Sequence, residues 1–132
     1  MTATPAVGTT APERTYGPLT TEMFVRYSGA AGDYNPMHYD KDFAQRAGYP
    51  TVFSQGMHTA SLLSAFAVDW LGAERLRRFH VRFRAIVFPG DTLTCTGRVT
   101  NAADGNVSVE LVAARPDGSV AIQGEADFAF AD

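Results

Sequence analysis

Three observations predict an α+β fold in which an antiparallel sheet packs around one buried helix. Apolar residues recur at helical spacing through the first part of the chain. One run there, GMHTASLLSAFAVDWL from Gly56 to Leu71, is apolar on nearly every side, which places it inside the protein. Beyond residue 78 the apolar period changes from 3.6 to 2 and stays there to the end. Helices followed by clustered strands make α+β, and a sheet curled around the apolar helix covers it most economically.

Residues 1–12, MTATPAVGTTAP, lack the charged start and apolar stretch of a secretory signal and are expected to be a flexible tail. A single domain is expected over 13–132. Glu13 to Leu19 reads as a short strand or extended arm. Thr20 is placed to cap a helix carrying Met23, Phe24, Tyr27 and Ala31, with Glu22 near its positive end and Gly29 and Gly32 available to end it. The segment Asp33 to His38 must be turn or loop, because Pro36 forbids a continuing helix. Asp40 caps a second short helix with Phe43, Ala44 and Ala47 on one face and Gly48 as its stop. In the Gly56–Leu71 helix, Met57, Ala60, Leu63, Ala67 and Trp70 line one side, and Gly72 ends it.

Four strands are expected after it. Phe79, Val81, Phe83, Ala85 and Val87 alternate with polar neighbours, and Pro89-Gly90-Asp91 turns the chain. Leu93, Cys95, Gly97 and Val99 form the inner face of the next strand, and Asp104-Gly105 signals a tight hairpin. Val107, Val109, Leu111 and Ala113 follow, then a turn at Pro116-Asp117-Gly118. Val120, Ile122, Gly124, Ala126, Phe128 and Phe130 complete the set.

Composition narrows the function. With 45% hydrophobic and 19% charged residues in 132, the chain has the means for one ordinary core. A net charge of −3 argues against general nucleic-acid binding, which draws on a basic surface. The lone Cys95 allows no internal disulfide and fits a reducing compartment. No apolar run reaches the roughly 18 residues of a membrane span, so a cytoplasmic protein without membrane partner is expected. Three scattered histidines and one cysteine lack metal-ligand spacing, and no glycine loop for a nucleotide phosphate is present.

Chemistry concentrates in Gly32-Asp33-Tyr34-Asn35-Pro36-Met37-His38. Gly, Asp, Asn and Pro are the commonest turn formers, so this string reads first as a turn. It also places a carboxylate five residues from an imidazole on a loop, a usable general acid–base pair. Gly56 adds helix-terminal N–H groups that point outward and have no intrahelical partner.

The string from Gly32 to Asp40, together with Gln55-Gly56-Met57, Val81-Arg82-Phe83-Arg84 and Pro89-Gly90-Asp91, resembles the MaoC-like (R)-specific enoyl-CoA hydratase and 3-hydroxyacyl thioester dehydratase family. The resemblance runs from about Tyr16 over nearly the whole chain and implies the hot-dog fold. It implies that Asp33 and His38 are catalytic, that the Gly56 backbone N–H stabilises the thioester oxyanion, and that Asn35, Pro36 and Ser64 support them, Asn35 by a hydrogen bond to the carboxylate. It implies reversible syn hydration of trans-2-enoyl thioesters to (R)-3-hydroxyacyl thioesters. No cofactor is expected beyond the coenzyme A or acyl carrier protein that carries the substrate. Met57 is expected to touch substrate. Arg82 and Arg84, which share a strand face with Arg78, are read either as phosphate contacts or as a solvated face beside Glu125 and Asp127. Where family members often carry histidine before the helix glycine, this chain has Gln55, and a histidine follows as His58. Cys95 is read as core. A homodimer or larger assembly is expected, with a second hot-dog subunit as the alternative partner. The alternative chemistry on this fold is thioester hydrolysis.

Overall fold

The computed structural model describes residues 3–130, and its elements follow the sequence closely. They are β1 (Arg14–Tyr16), α1 (Thr21–Ala31), a 3-10 turn (Pro36–His38), α2 (Lys41–Arg46), α3 (Gly56–Leu71), a second 3-10 turn (Ala73–Arg75), β2 (Leu76–Phe83), β3 (Leu93–Ala103), β4 (Asn106–Ala114) and β5 (Val120–Ala129). Thr20 caps α1 through its side chain, which accepts from Met23 N, and Gly32 ends it at φ 72°. Asp40 caps α2 in the same way by accepting from Phe43 N. In both places a side-chain oxygen replaces a helical acceptor that the first turn lacks.

The five strands form one antiparallel sheet in the order β1-β3-β4-β5-β2. Asp104 and Gly105, at φ 53° and 75°, turn β3 back into β4 with the left-handed pair that a tight hairpin requires. Leu93, Val99, Val109, Leu111, Ile122 and Phe128 point inward from the sheet onto α3. From the helix side Ala60, Leu63, Phe66, Ala67 and Leu71 meet them. Each fully buried Val, Leu, Ile or Phe side chain among them stabilises the fold by roughly 1.5–3 kcal/mol relative to exposure. This helix wrapped by an antiparallel sheet is the hot-dog fold.

Three expectations need correction. Residues within 1–12 are bound to the sheet: Gly8 N donates to Val99 O and Ala11 N to Gly97 O, both at 2.9 Å, and Thr10 bridges Arg98. The outer side of β3 beyond β1 offers free backbone groups, and this segment satisfies them. Residues 1 and 2 lie outside the described residues. The strand expected to continue to Val87 ends at Phe83, because its partner β5 begins only at Val120 and the register Phe83↔Ile122 leaves little to pair with. Finally, α3 is not covered all round: Met57, Ser61, Ala65 and Asp69 form an exposed stripe, since the single sheet packs against the other side. Among the described residues no helix is long and apolar enough to cross a membrane.

Candidate active site

Gly32 turns the backbone out of α1, so Asp33 leaves the helix axis immediately. Asn35 then caps the following 3-10 turn, its Oδ1 accepting from Met37 N at 3.1 Å. Pro36 occupies the first position of that turn, where a missing N–H costs nothing. One turn later His38 is carried inward and is only 7% exposed.

The histidine is held at one end and faces a carboxylate with the other. Its Nδ1 lies 2.8 Å from the carbonyl oxygen of Phe53. A carbonyl only accepts, so Nδ1 carries a proton, and in the neutral form of the ring the lone pair is left at Nε2. That Nε2 faces Asp33 Oδ2 at 3.5 Å. Two acceptors at this separation do not bond to each other, but they can share one water that donates a proton to each. The Asp33 side chain is 44% exposed, so the shared position opens to solvent and substrate. Asp33 Oδ1 accepts from the backbone N–H of Asn35 at 3.4 Å. The contact to the carboxylate is thus made by the main chain of Asn35, because its side chain is engaged as the cap.

Gly56 stands at the start of α3, where Gln55 is the N-cap and makes no side-chain capping bond. The Gln55 carbonyl accepts from His58 N at 3.1 Å and Thr59 N at 3.3 Å. Among the described residues nothing accepts from Gly56 N–H. A Cβ at position 56 would lie 3.0–3.3 Å from three carbons of the Phe83 ring, so glycine lets that ring lie against the helix start without being pushed outward. Phe83, 54% exposed, and Gly56 line a cleft of about 290 Å³ with Phe53, Ser54, Thr59 and Ile86.

Asp33 and His38 do not line that cleft. Phe53 connects the two: its carbonyl orients His38, its ring packs edge-on to the imidazole at 5.4 Å, and it also belongs to the cleft wall. Sequence reasoning missed Phe53, since a backbone carbonyl 15 residues away leaves no mark in residue type. Ser64 is half-buried on α3 and lies outside the cleft wall. Met57 is 62% exposed and also stands outside it. Arg84 borders the cleft, and its guanidinium donates to Gln123 Oε1 at 3.0 and 3.2 Å. Arg82 lies in an adjoining surface groove with His80, Gln123 and Glu125. Arg78 pairs with Glu125 and Asp127 at 3.9 and 3.6 Å, which makes its part of the face an ordinary ion-paired surface.

Further polar side chains pack behind the helix start. His58 Nδ1 meets Ser54 Oγ at 3.2 Å and its ring stacks on Tyr27 at 5.1 Å, while burial pushes its pKa below the ordinary imidazole value. Gln55, wholly buried, reaches α1 through its side-chain amide. Cys95 is fully buried and burial pushes its thiol up to about 11, so it is no nucleophile near neutral pH. Among the described residues no group of three or more His, Cys, Asp or Glu is placed to hold a metal ion.

Known proteins share this arrangement of elements. The chain is 41% identical over 80 residues to the fatty acid synthase β subunit pigK of Monascus ruber, a match covering 58% of this chain and 4% of that subunit. It is 30% identical over 108 residues to the β subunit of 3-oxo-4,17-pregnadiene-20-carboxyl-CoA hydratase of Mycobacterium tuberculosis, covering 80% of this chain and 82% of the relative. The solved (R)-hydratase of A. caviae superposes with a TM-score of 0.86 at 23% identity, over 96% of this chain and 98% of the other, a likeness of fold. Residues 3–117 match the MaoC like domain. With that match spanning all the elements from β1 to β4, and the same fold in a solved hydratase, this chain belongs to the MaoC-like domain family.

Proposed function

We propose that the protein adds water reversibly to trans-2-enoyl thioesters, giving (R)-3-hydroxyacyl thioesters. The observation that carries the reading is the pair of acceptors, His38 Nε2 and Asp33 Oδ2, 3.5 Å apart with the imidazole tautomer fixed by Phe53. In the hydration direction a water held between them gives a proton to Asp33 as its oxygen attacks C3 of the enoyl group. The C2–C3 π electrons move toward the carbonyl, and negative charge collects on the thioester oxygen. The unengaged Gly56 N–H accepts that charge as a hydrogen-bond donor, a contribution typically worth about 3 kcal/mol of barrier. His38 keeps the water oriented, and the proton returns to C2 on the same face. Dehydration retraces these steps.

The thioester is expected to enter along the cleft beside Phe83, with Arg84 and Arg82 toward the phosphates of coenzyme A or of an acyl carrier protein's prosthetic group. The chemistry needs no further cofactor, since water, base and oxyanion donor complete the proton balance. Family membership and the hydratase named among its relatives support this reading over thioester hydrolysis. The mycobacterial relative is named as a β subunit, which favours a second arrangement in which this chain works beside a different hot-dog subunit.

Hydration removes the conjugated enoyl chromophore, so loss of ultraviolet absorbance measures the reaction directly. Asp33→Asn and His38→Gln should each lower kcat by about 10²–10⁴-fold. Variants that keep the full rate would remove both residues from the mechanism.

A further inference from the structure

The proposed base and the proposed oxyanion donor stand on different elements. Asp33 follows the C-cap of α1, and Gly56 opens α3. His58 packs against Tyr27 and Phe24 of α1 there, and one side chain ties the two elements by directional hydrogen bonds. Gln55 is 1% exposed, and its Nε2 donates to the Phe24 carbonyl at 2.7 Å and to Ser28 Oγ at 2.9 Å. Phe24 and Ser28 are the buried residues of α1, so both acceptors lie on its inner face. A carbonyl cannot donate, so the atom facing Phe24 O must be the amide nitrogen and the side chain has a single orientation.

The backbone of Gln55 is held as firmly. Its carbonyl accepts from His58 N and Thr59 N, which fixes the plane of the Gln55–Gly56 peptide. That same peptide unit carries the Gly56 N–H, and in a trans peptide the N–H points opposite to the carbonyl. The aim of the amide therefore follows from where Gln55 sits.

We propose that Gln55 is a positioning residue that clamps the start of α3 to α1 and so sets the aim of the Gly56 N–H relative to Asp33. This role rests on the hydratase reading above. Its energetics separate it from ordinary packing. Gln55 Oε1 is buried without a partner among the described residues, and an unmet acceptor lowers stability. An apolar side chain of the same length would fill the space without that penalty. It would strand nothing on α1, because Phe24 O keeps its helical donor and the Ser28 hydroxyl can turn to that same carbonyl four residues back. The tie fixes direction at some expense in stability.

The test compares full-length wild type, Gln55→Met, Ser28→Ala and Ser28→Thr for melting temperature, kcat, KM and the pH profile of kcat/KM on one enoyl thioester. Gln55→Met should melt at or above wild type while kcat falls on the order of tenfold to a hundredfold, as for a misaimed catalytic group. KM should stay within about twofold, since what is lost acts in the transition state. The pH limbs should not move, because Asp33 and His38 are untouched. Ser28→Ala should show the same split at smaller size, and Ser28→Thr should restore the rate. Should Gln55→Met fail to fold, the Ser28 pair decides alone. Unchanged kcat, or a rate loss that tracks a lower melting temperature, overturns the positioning role. A wild type without hydratase activity, or an Asp33→Asn variant at full rate, overturns the hydratase reading and this role with it. Activity that depends on Asp33 but is indifferent to Gln55→Met overturns this role alone.

Discussion

At the scale of single residues, the site is built from groups whose second contacts matter as much as the first. His38 presents Nε2 toward Asp33 only because Phe53 occupies Nδ1. His58, two residues past Gly56, shows the opposite use of an imidazole: it is packed against Tyr27 and Phe24, and burial holds its pKa below 6.5. The unfolded chain then binds its proton at a higher pH than the folded chain does. Between those two values the unfolded state carries more protons, so stability falls as pH drops below about 6.5 and recovers as pH rises above it. His58→Gln keeps a polar partner for Ser54 without titrating, and it should lose less stability on acidification than wild type. Urea unfolding at a series of pH values measures the difference, and identical slopes would count against a buried neutral His58. In the sequence, Asp33 and His38 stood out by type and spacing, while the roles of Phe53 and Gln55 did not. A main-chain acceptor and a buried amide acquire direction only from what folds against them.

At the scale of elements, the chain's local signals were legible where they are chemically local. Thr20 and Asp40 cap the helices that follow them, Gly32 and Gly72 end theirs, and Asp104-Gly105 makes the hairpin, because each acts through atoms a few residues away. Strand length was less legible: β2 stops where β5 runs out, a limit set across the sheet. The closest approach of helix and sheet is recorded by glycines. A Cβ on Gly124 of β5 would meet Leu63 Cδ2 at 3.1 Å and Leu111 Cβ at 3.3 Å. Gly124→Val should therefore destabilise the fold by about 1–3 kcal/mol through overpacking. Denaturant titration tests this, and an unchanged midpoint would mean that α3 shifts freely.

At the scale of the whole molecule, β2 is a sheet edge, and Phe83 and Ile86 near its end remain exposed beside the cleft. Open strand edges flanked by apolar side chains invite another chain. The purified protein is expected to exceed the 14.2 kDa of one chain by light scattering, as a homodimer or with a second hot-dog subunit. Phe83→Asp combined with Ile86→Asp should shift it toward monomer, and a monomeric wild type would sink the expectation of an assembly. The sequence by itself determined the α+β class, the order of the elements, the loop that bears Asp33 and His38, and the glycine that opens α3, since periodicity and turn chemistry act over a few residues. Tertiary structure alone decided which end of His38 carries its proton, which side of α3 stays bare, and how Gln55 ties the start of α3 to two residues of α1 that lie 27 and 31 positions before it. Those depend on atoms brought together by the collapse of the sheet onto its helix, and direction across such a distance is not written in any short run of residues.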